Sequence, residues 1–166
     1  MAQQDGTVLC PGSYDPVTNG HLDIISRSSR VFERVVVCVV NNPLRKERTL
    51  FTAEERKAFI EEATAMLGNV EVRIFSNLLV ELARELGAKS IVKGLRAISD
   101  FEYEFEMAQL NRKLDPEIES IYMIASPEYS FLSSTGVKEM ATFGGDVSDL
   151  VPGPVAAAMT ERLGER

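Results

Sequence analysis

Apolar residues gather in short runs that alternate with longer amphipathic segments. Thr7-Val8-Leu9-Cys10 is short, apolar and closed by Pro11-Gly12, which predicts a buried strand running into a loop. That loop opens a helix near Gly20. From Val35 to Val40 nearly every position is β-branched, as expected of a strand covered on both faces, and Asn41-Asn42-Pro43 stops it. Thr52 and Glu55 have the capping-box spacing, so a helix is expected from there to about Gly68. Val70 to Phe75 reads as a strand, Leu78 to Leu86 as a helix ending at Gly87, and Ser90 to Val92 as another strand. Ile121 to Ile124 supplies a fifth strand, with helices from about Ser134 and about Pro154.

One stretch fits two periods. Residues 101–106, Phe-Glu-Tyr-Glu-Phe-Glu, alternate as a strand would. Tyr103, Met107, Leu110 and Leu114 nevertheless continue at helical spacing, and Ser99 with Glu102 repeats the capping-box pattern ahead of them, so a helix is predicted. Five apolar strands separated by helical segments indicate βα crossovers. The fold class is α/β: one domain over residues 1–166, built on a doubly wound, five-stranded parallel sheet. In such a sheet ligands bind beyond the carboxyl ends of the strands, where strand order reverses.

Composition narrows the partners. A chain of 166 residues with 45% apolar content suits one core, and a net charge of −7 argues against a nucleic-acid backbone as the main partner. No apolar run approaches membrane-spanning length, and no basic run precedes an apolar core at the N-terminus, so a cytoplasmic protein without membrane or nucleic-acid partners is expected. Cys10 and Cys38 lie in or beside apolar runs and form no CxxC pair, which favours buried free thiols. With one histidine in the chain, a protein-held zinc site is poorly supported, and a metal would arrive with phosphates.

Candidate chemistry lies after the strands. Pro11 to His21 holds two glycines and two prolines and places His21 in the first turn of a helix. A helix N-terminus offers free amides and partial positive charge to an anion, and Gly20 allows close approach. An ordinary strand-to-helix turn with a structural histidine fits the same residues. Lys93 and Arg96 at the fourth strand's end fit solvated side chains as well as a phosphate contact. The run Tyr129 to Thr135 fits simple N-capping by Ser133 or Ser134 as well as an anion at a helix start.

Thr18-Asn19-Gly20-His21, following Pro-Gly-Ser-Tyr-Asp-Pro, resembles the TxGH form of the HxGH signature of the adenylyl- and cytidylyltransferase superfamily. Within it the chain is similar to the bacterial phosphopantetheine adenylyltransferases. The likeness continues through Lys93 to Arg96, Asp100 to Glu104, Ala108 to Asn111 and Tyr129 to Thr135, in order along nearly the whole chain.

The resemblance implies a Rossmann-like nucleotidyltransferase fold and a reaction joining ATP and 4′-phosphopantetheine to give dephospho-coenzyme A and pyrophosphate. It implies catalytic roles for His21, Ser13 and Lys93. Substrate contacts would come from Ser13, Lys93, Leu79 and either Arg45 or Lys46, since the loop departs from the family pattern and Arg45 stands where a lysine is usual. ATP contacts would come from Ser13, Tyr14, His21, Gly94, Leu95, Arg96, Glu104 and the run Tyr129, Ser130, Phe131, Leu132, Ser133, Ser134, Thr135. Mg²⁺, feedback binding of coenzyme A and a homohexamer are further implications. The attacking group is an ionised phosphate, so His21 is expected to donate a hydrogen bond rather than remove a proton. The alternatives are a nicotinamide-mononucleotide adenylyltransferase, separated by a substrate panel, and a nucleotide-binding module that releases no pyrophosphate.

Overall fold

The computed structural model describes residues 5–42 and 49–164. Its strands are β1 (Asp5–Gly12), β2 (Phe32–Val40), β3 (Val70–Phe75), β4 (Ser90–Leu95) and β5 (Glu119–Ile124). The helices are α1 (Asn19–Val31), α2 (Ala53–Ala63), α3 (Leu79–Leu86), α4 (Ile98–Leu114), α5 (Ser134–Thr142) and α6 (Gly153–Leu163). All strand pairs are parallel in the order β3-β2-β1-β4-β5, which reverses direction between β1 and β4.

Alternation along the central strands divides the interior in two. Val8, Cys10, Val35, Val37 and Val39 face a core closed by Ile24, Ile25, Ile60, Val137, Val155 and Met159 from α1, α2, α5 and α6. Leu9, Val36 and Cys38 face the other side, against Val80, Leu82 and Ala83 of α3. The near-continuous valines of β2 therefore serve two cores at once. Both cysteines are buried free thiols, as expected. Among the described residues, no helix is long and apolar enough to cross a membrane.

Several boundaries differ from the sequence expectations. β1 does not stop at Cys10 but continues through Pro11 and Gly12, paired with Cys38 and Val39. Its pairing with β4 covers only Val8–Ser90 and Leu9–Ile91, so Pro11, which has no N–H, needs no bond on that side. β2 begins at Phe32, directly after α1, and β4 runs on to Leu95 beside β5. α2 ends at Ala63 rather than near Gly68; Thr64 is its C-cap, and its hydroxyl donates back to the Ile60 carbonyl. Residues 101–106 are helical, but Ser99 lies inside the helix and is not its N-cap. α4 starts two residues earlier, with Ala97 as an N-cap that makes no side-chain bond. Asp100 has instead turned to Arg96, accepting from its backbone amide and its guanidinium.

Candidate active site

β1 and β4 stop pairing after Leu9 and Ile91, while each stays bonded to its outer neighbour. The crevice so opened is a cavity of about 330 Å³ at the switch in strand order. Its lining includes Ser13, Tyr14, Thr18, Gly20 and His21 from the loop after β1 and from α1. Lys93, Gly94, Arg96, Asp100 and Glu104 line it from β4 and α4, and Tyr129, Leu132, Ser133, Ser134 and Thr135 from the loop before α5. Most of the expected site residues thus meet around one cavity.

His21 is held by a variant of the capping box. Thr18 is the N-cap of α1, its hydroxyl accepts from the His21 backbone N–H, and its own N–H donates to His21 Nδ1 at 3.0 Å. An Nδ1 that accepts a bond leaves the ring proton on Nε2. Burial, with the positive charges of Arg96 and then Lys93, lowers the pKa of His21 from 6.5 to about 4, so the ring is neutral at pH 7. Tyr14 stands edge-on to it, with ring centroids 5.0 Å apart. Tyr14 adopts a left-handed φ of 50°, folds over Gly12 and donates its hydroxyl to the Cys10 carbonyl at 2.8 Å. A Cβ on Gly12 would lie 3.0 Å from that ring.

The amides at the start of α1 are less available than the sequence implies. Asn19 N–H donates to the Leu150 carbonyl, and His21 N–H goes to Thr18. α5 is better suited to an anion: Ser133 caps Gly136 N–H, and the amides of Ser134 and Thr135 have no protein acceptor among the described residues.

The charged groups are paired across elements. Lys93 Nζ lies 3.1 Å from Glu104 Oε1. Arg96 makes two bonds to the Asp100 carboxylate and a third to the Leu132 carbonyl, tying β4, α4 and the loop before α5 together. Burial raises the Asp100 pKa, but the bonds from Arg96 outweigh it and hold the carboxyl below its ordinary value. Gly94 admits a neighbouring helix as well as facing the cavity, since a Cβ there would come within 2.9 Å of Ile24 Cγ1.

Some expected contacts fall elsewhere. Leu95 is buried outside the cavity lining, Ser130 donates its hydroxyl to the Pro127 carbonyl, and the Phe131 ring points outward, 72% exposed. Leu79 packs with Val40 and Leu86 against the second core. Arg45 and Lys46 lie outside the described residues. A second cavity of about 340 Å³ adjoins the first, lined by Ser13, Asn41, Asn42, Leu50, Phe51, Thr52 and Arg56, and Ser13 is common to both. The sequence reading assigned no role to Thr18, Asp15 or Arg56. The Thr-x-x-His spacing carried a signal for Thr18, because it is the capping-box spacing with histidine as the third residue.

A crevice at the switch point, lined by phosphate-suited groups around a neutral histidine, defines a nucleotidyltransferase site. Residues 9–140 match the cytidylyltransferase-like family model, and the chain belongs to that family, among its phosphopantetheine adenylyltransferases. It is 53% identical over 154 residues to the phosphopantetheine adenylyltransferase of Alkaliphilus metalliredigens, covering 93% of this chain and 97% of that one. The Rubrobacter xylanophilus enzyme of the same name is 56% identical, with 87% of each chain covered. That of Staphylococcus carnosus is 47% identical, with 97% and 99% covered. A crystal structure from Vibrio parahaemolyticus, assigned as a nicotinate-nucleotide adenylyltransferase, superposes with a TM-score of 0.66 at 16% identity, over 93% of this chain and 98% of that one. This last likeness is one of fold.

Proposed function

We infer that the protein transfers the adenylyl group of ATP to 4′-phosphopantetheine, giving dephospho-coenzyme A and pyrophosphate. The observation that carries the chemistry is the His21 tautomer: a neutral ring whose Nε2–H is left to donate while Nδ1 is occupied by Thr18. An oxygen of the 4′-phosphate attacks the α-phosphorus of ATP, the α–β bridging bond breaks, and its electrons leave on pyrophosphate. The nucleophile is already ionised, so no base is required and catalysis rests on positioning and charge stabilisation. His21 would donate to the α-phosphate as charge builds there. Lys93 and Arg96 would offset charge on the phosphates, and the amides of Ser134 and Thr135 would meet the tail of ATP. Ser13, shared by the two cavities, is suited to orient the attacking phosphate.

Among the described residues no cluster of acids could hold a metal, and the two cavity carboxylates, Asp100 and Glu104, are engaged by Arg96 and Lys93. Mg²⁺ would therefore enter on the ATP phosphates and neutralise part of their charge. The apolar side chains of α4 support self-association, for which a homohexamer is our reading: Phe101, Tyr103, Phe105, Leu110 and Leu114 are exposed, while Glu104, Ala108 and Asn111 sit on the half-buried side. Feedback by coenzyme A follows from its sharing the pantetheine and adenylate parts of the product. A cytoplasmic location accords with the supply of ATP and with two reduced cysteines.

The test is incubation with ATP, Mg²⁺ and 4′-phosphopantetheine. Release of pyrophosphate with formation of dephospho-coenzyme A is expected; folded protein that gives neither product would refute the reading.

A further inference from the structure

Arg56, in the first turns of α2, is 3% exposed. Its guanidinium grips backbone from three separate segments. Nη1 donates to the Ser13 carbonyl at 2.6 Å and to the Val40 carbonyl, at the end of β2, at 3.0 Å. Nε donates to the carbonyls of Phe51 and Thr52, both at 3.2 Å. Burial lowers its pKa, and Asp15 and Glu54 are the acids that act against this. A buried cation bonded to uncharged carbonyls is a costly arrangement unless the geometry it fixes has a use.

Asp15 grips the same segment from the opposite polarity. Its carboxylate, on a residue 4% exposed, accepts from the backbone amides of Leu50 and Phe51 at 2.9 Å each and from Lys138 Nζ of α5 at 2.9 Å. Residues 50–52 are thus held by their amides on Asp15 and by their carbonyls on Arg56. Asp15 stands two residues after Ser13, and Arg56 binds Ser13 itself. A residue that only stabilised the start of α2 would need the Phe51 and Thr52 carbonyls alone, whereas the shortest bond of the set reaches Ser13.

We propose that Arg56, working with Asp15, is a positioning residue that sets Ser13 at the seam between the two cavities. It contributes no group to the first cavity and acts on the reaction through the Ser13 carbonyl, part of the backbone that carries the Ser13 hydroxyl. The proposal rests on the adenylyl-transfer reading of the site.

A double-mutant cycle tests it, with Ser13→Ala, Arg56→Lys and the double variant assayed for kcat, for KM of each substrate and for equilibrium ATP affinity. Lysine keeps the charge and loses the fork that spans the segments. Arg56→Lys is expected to lower kcat about 10- to 100-fold through misplacement of the nucleophile, with ATP affinity held within about twofold. In the Ser13→Ala background the same change should cost less than about threefold, because no hydroxyl remains to be placed. Equal losses in both backgrounds, or ATP affinity falling in step with kcat, overturn the proposal. If Arg56→Lys does not fold, Arg56→Gln takes its place in the cycle. Failure of the wild-type protein to form dephospho-coenzyme A would refute the transfer reading instead. Hydrogen exchange at residues 12–15 then decides the positioning claim: faster exchange in the Arg56 variant is expected, and unchanged exchange overturns it.

Discussion

Lys93 within β4 and Glu104 on α4 form an ion pair of 3.1 Å inside the cavity, with 27% and 15% of their side chains exposed. A cation suited to a phosphate is thus oriented by a carboxylate from a neighbouring helix. Glu104 also has its backbone carbonyl bonded by the Tyr122 hydroxyl, which fixes α4 to β5 at the same point. An incoming phosphate therefore meets an aligned ammonium group and shares it with an acid.

Removing either partner separates these effects. Lys93→Ala is expected to lower kcat/KM for 4′-phosphopantetheine by about 10- to 1,000-fold, as for the loss of a charged transition-state contact. Glu104→Gln keeps the lysine but loosens it, and a smaller loss of about 3- to 30-fold is expected. In the double variant the Glu104 change should have little further effect. Steady-state kinetics on the three variants check this, and fully additive losses would mean that Glu104 does not act through Lys93.

His21→Ala should lower kcat by about 100- to 1,000-fold while leaving ATP affinity within a few fold, because the Nε2–H contact strengthens as charge builds on the phosphate. His21→Asn, which can still donate, should recover part of the loss. Turnover kinetics beside ATP titrations distinguish this from a binding role, in which affinity and rate would fall together.

The depressed pKa of His21 also sets a pH dependence. Above about pH 6.5 the ring is neutral in both folded and unfolded chains and contributes no slope. Between 6.5 and about 4 the unfolded chain takes up a proton that the folded site resists, so stability falls as pH falls through that window. The loss is on the order of 2 kcal/mol after allowance for the partial exposure of the residue. Urea denaturation at pH 7 and pH 4.5 should show a smaller difference for His21→Gln than for the wild type.

Gly94→Ala would drive a methyl group into Ile24 of α1, which lies 2.9 Å from the position of the added carbon. A destabilisation of about 1–3 kcal/mol is expected from overpacking, with partial relief by Ile24→Val. Thermal unfolding of the two variants measures it. A Gly94→Ala protein of unchanged Tm but impaired ATP binding would instead assign the glycine to the ligand alone.

The exposed apolar side of α4 gives a test of assembly. Leu110→Glu places a charge where a 49% exposed leucine stands, so the folded chain should tolerate it. Light scattering after gel filtration should report a smaller assembly for this variant, with an unchanged far-UV circular dichroism spectrum. An unchanged mass would exclude α4 from the contact.

Patterning along the chain determined the sheet, because strands buried on both faces must be apolar at every position and amphipathic crossovers must separate them. β2 and its capped successor α2 were legible for that reason. So was the cavity, since the loops after β1 and β4 lie at the reversal of strand order whatever the details of packing. The ordered motifs marked His21, Lys93 and Arg96 without geometry. Where β1 leaves β4 was not legible, because Pro11 and Gly12 look like a stop until β2 is seen beside them. The contacts of Asp15 with Leu50 and Phe51 and of Arg56 with Ser13 were also beyond the sequence, since they join backbone atoms to side chains 35 to 43 residues away and no side-chain pattern records them. The nitrogen of His21 that keeps its proton is set locally, by the backbone amide of Thr18 in the capping box. Only the tertiary structure decided the burial and lowered pKa of the ring, because Arg96 and Lys93 come beside it from elements far along the chain.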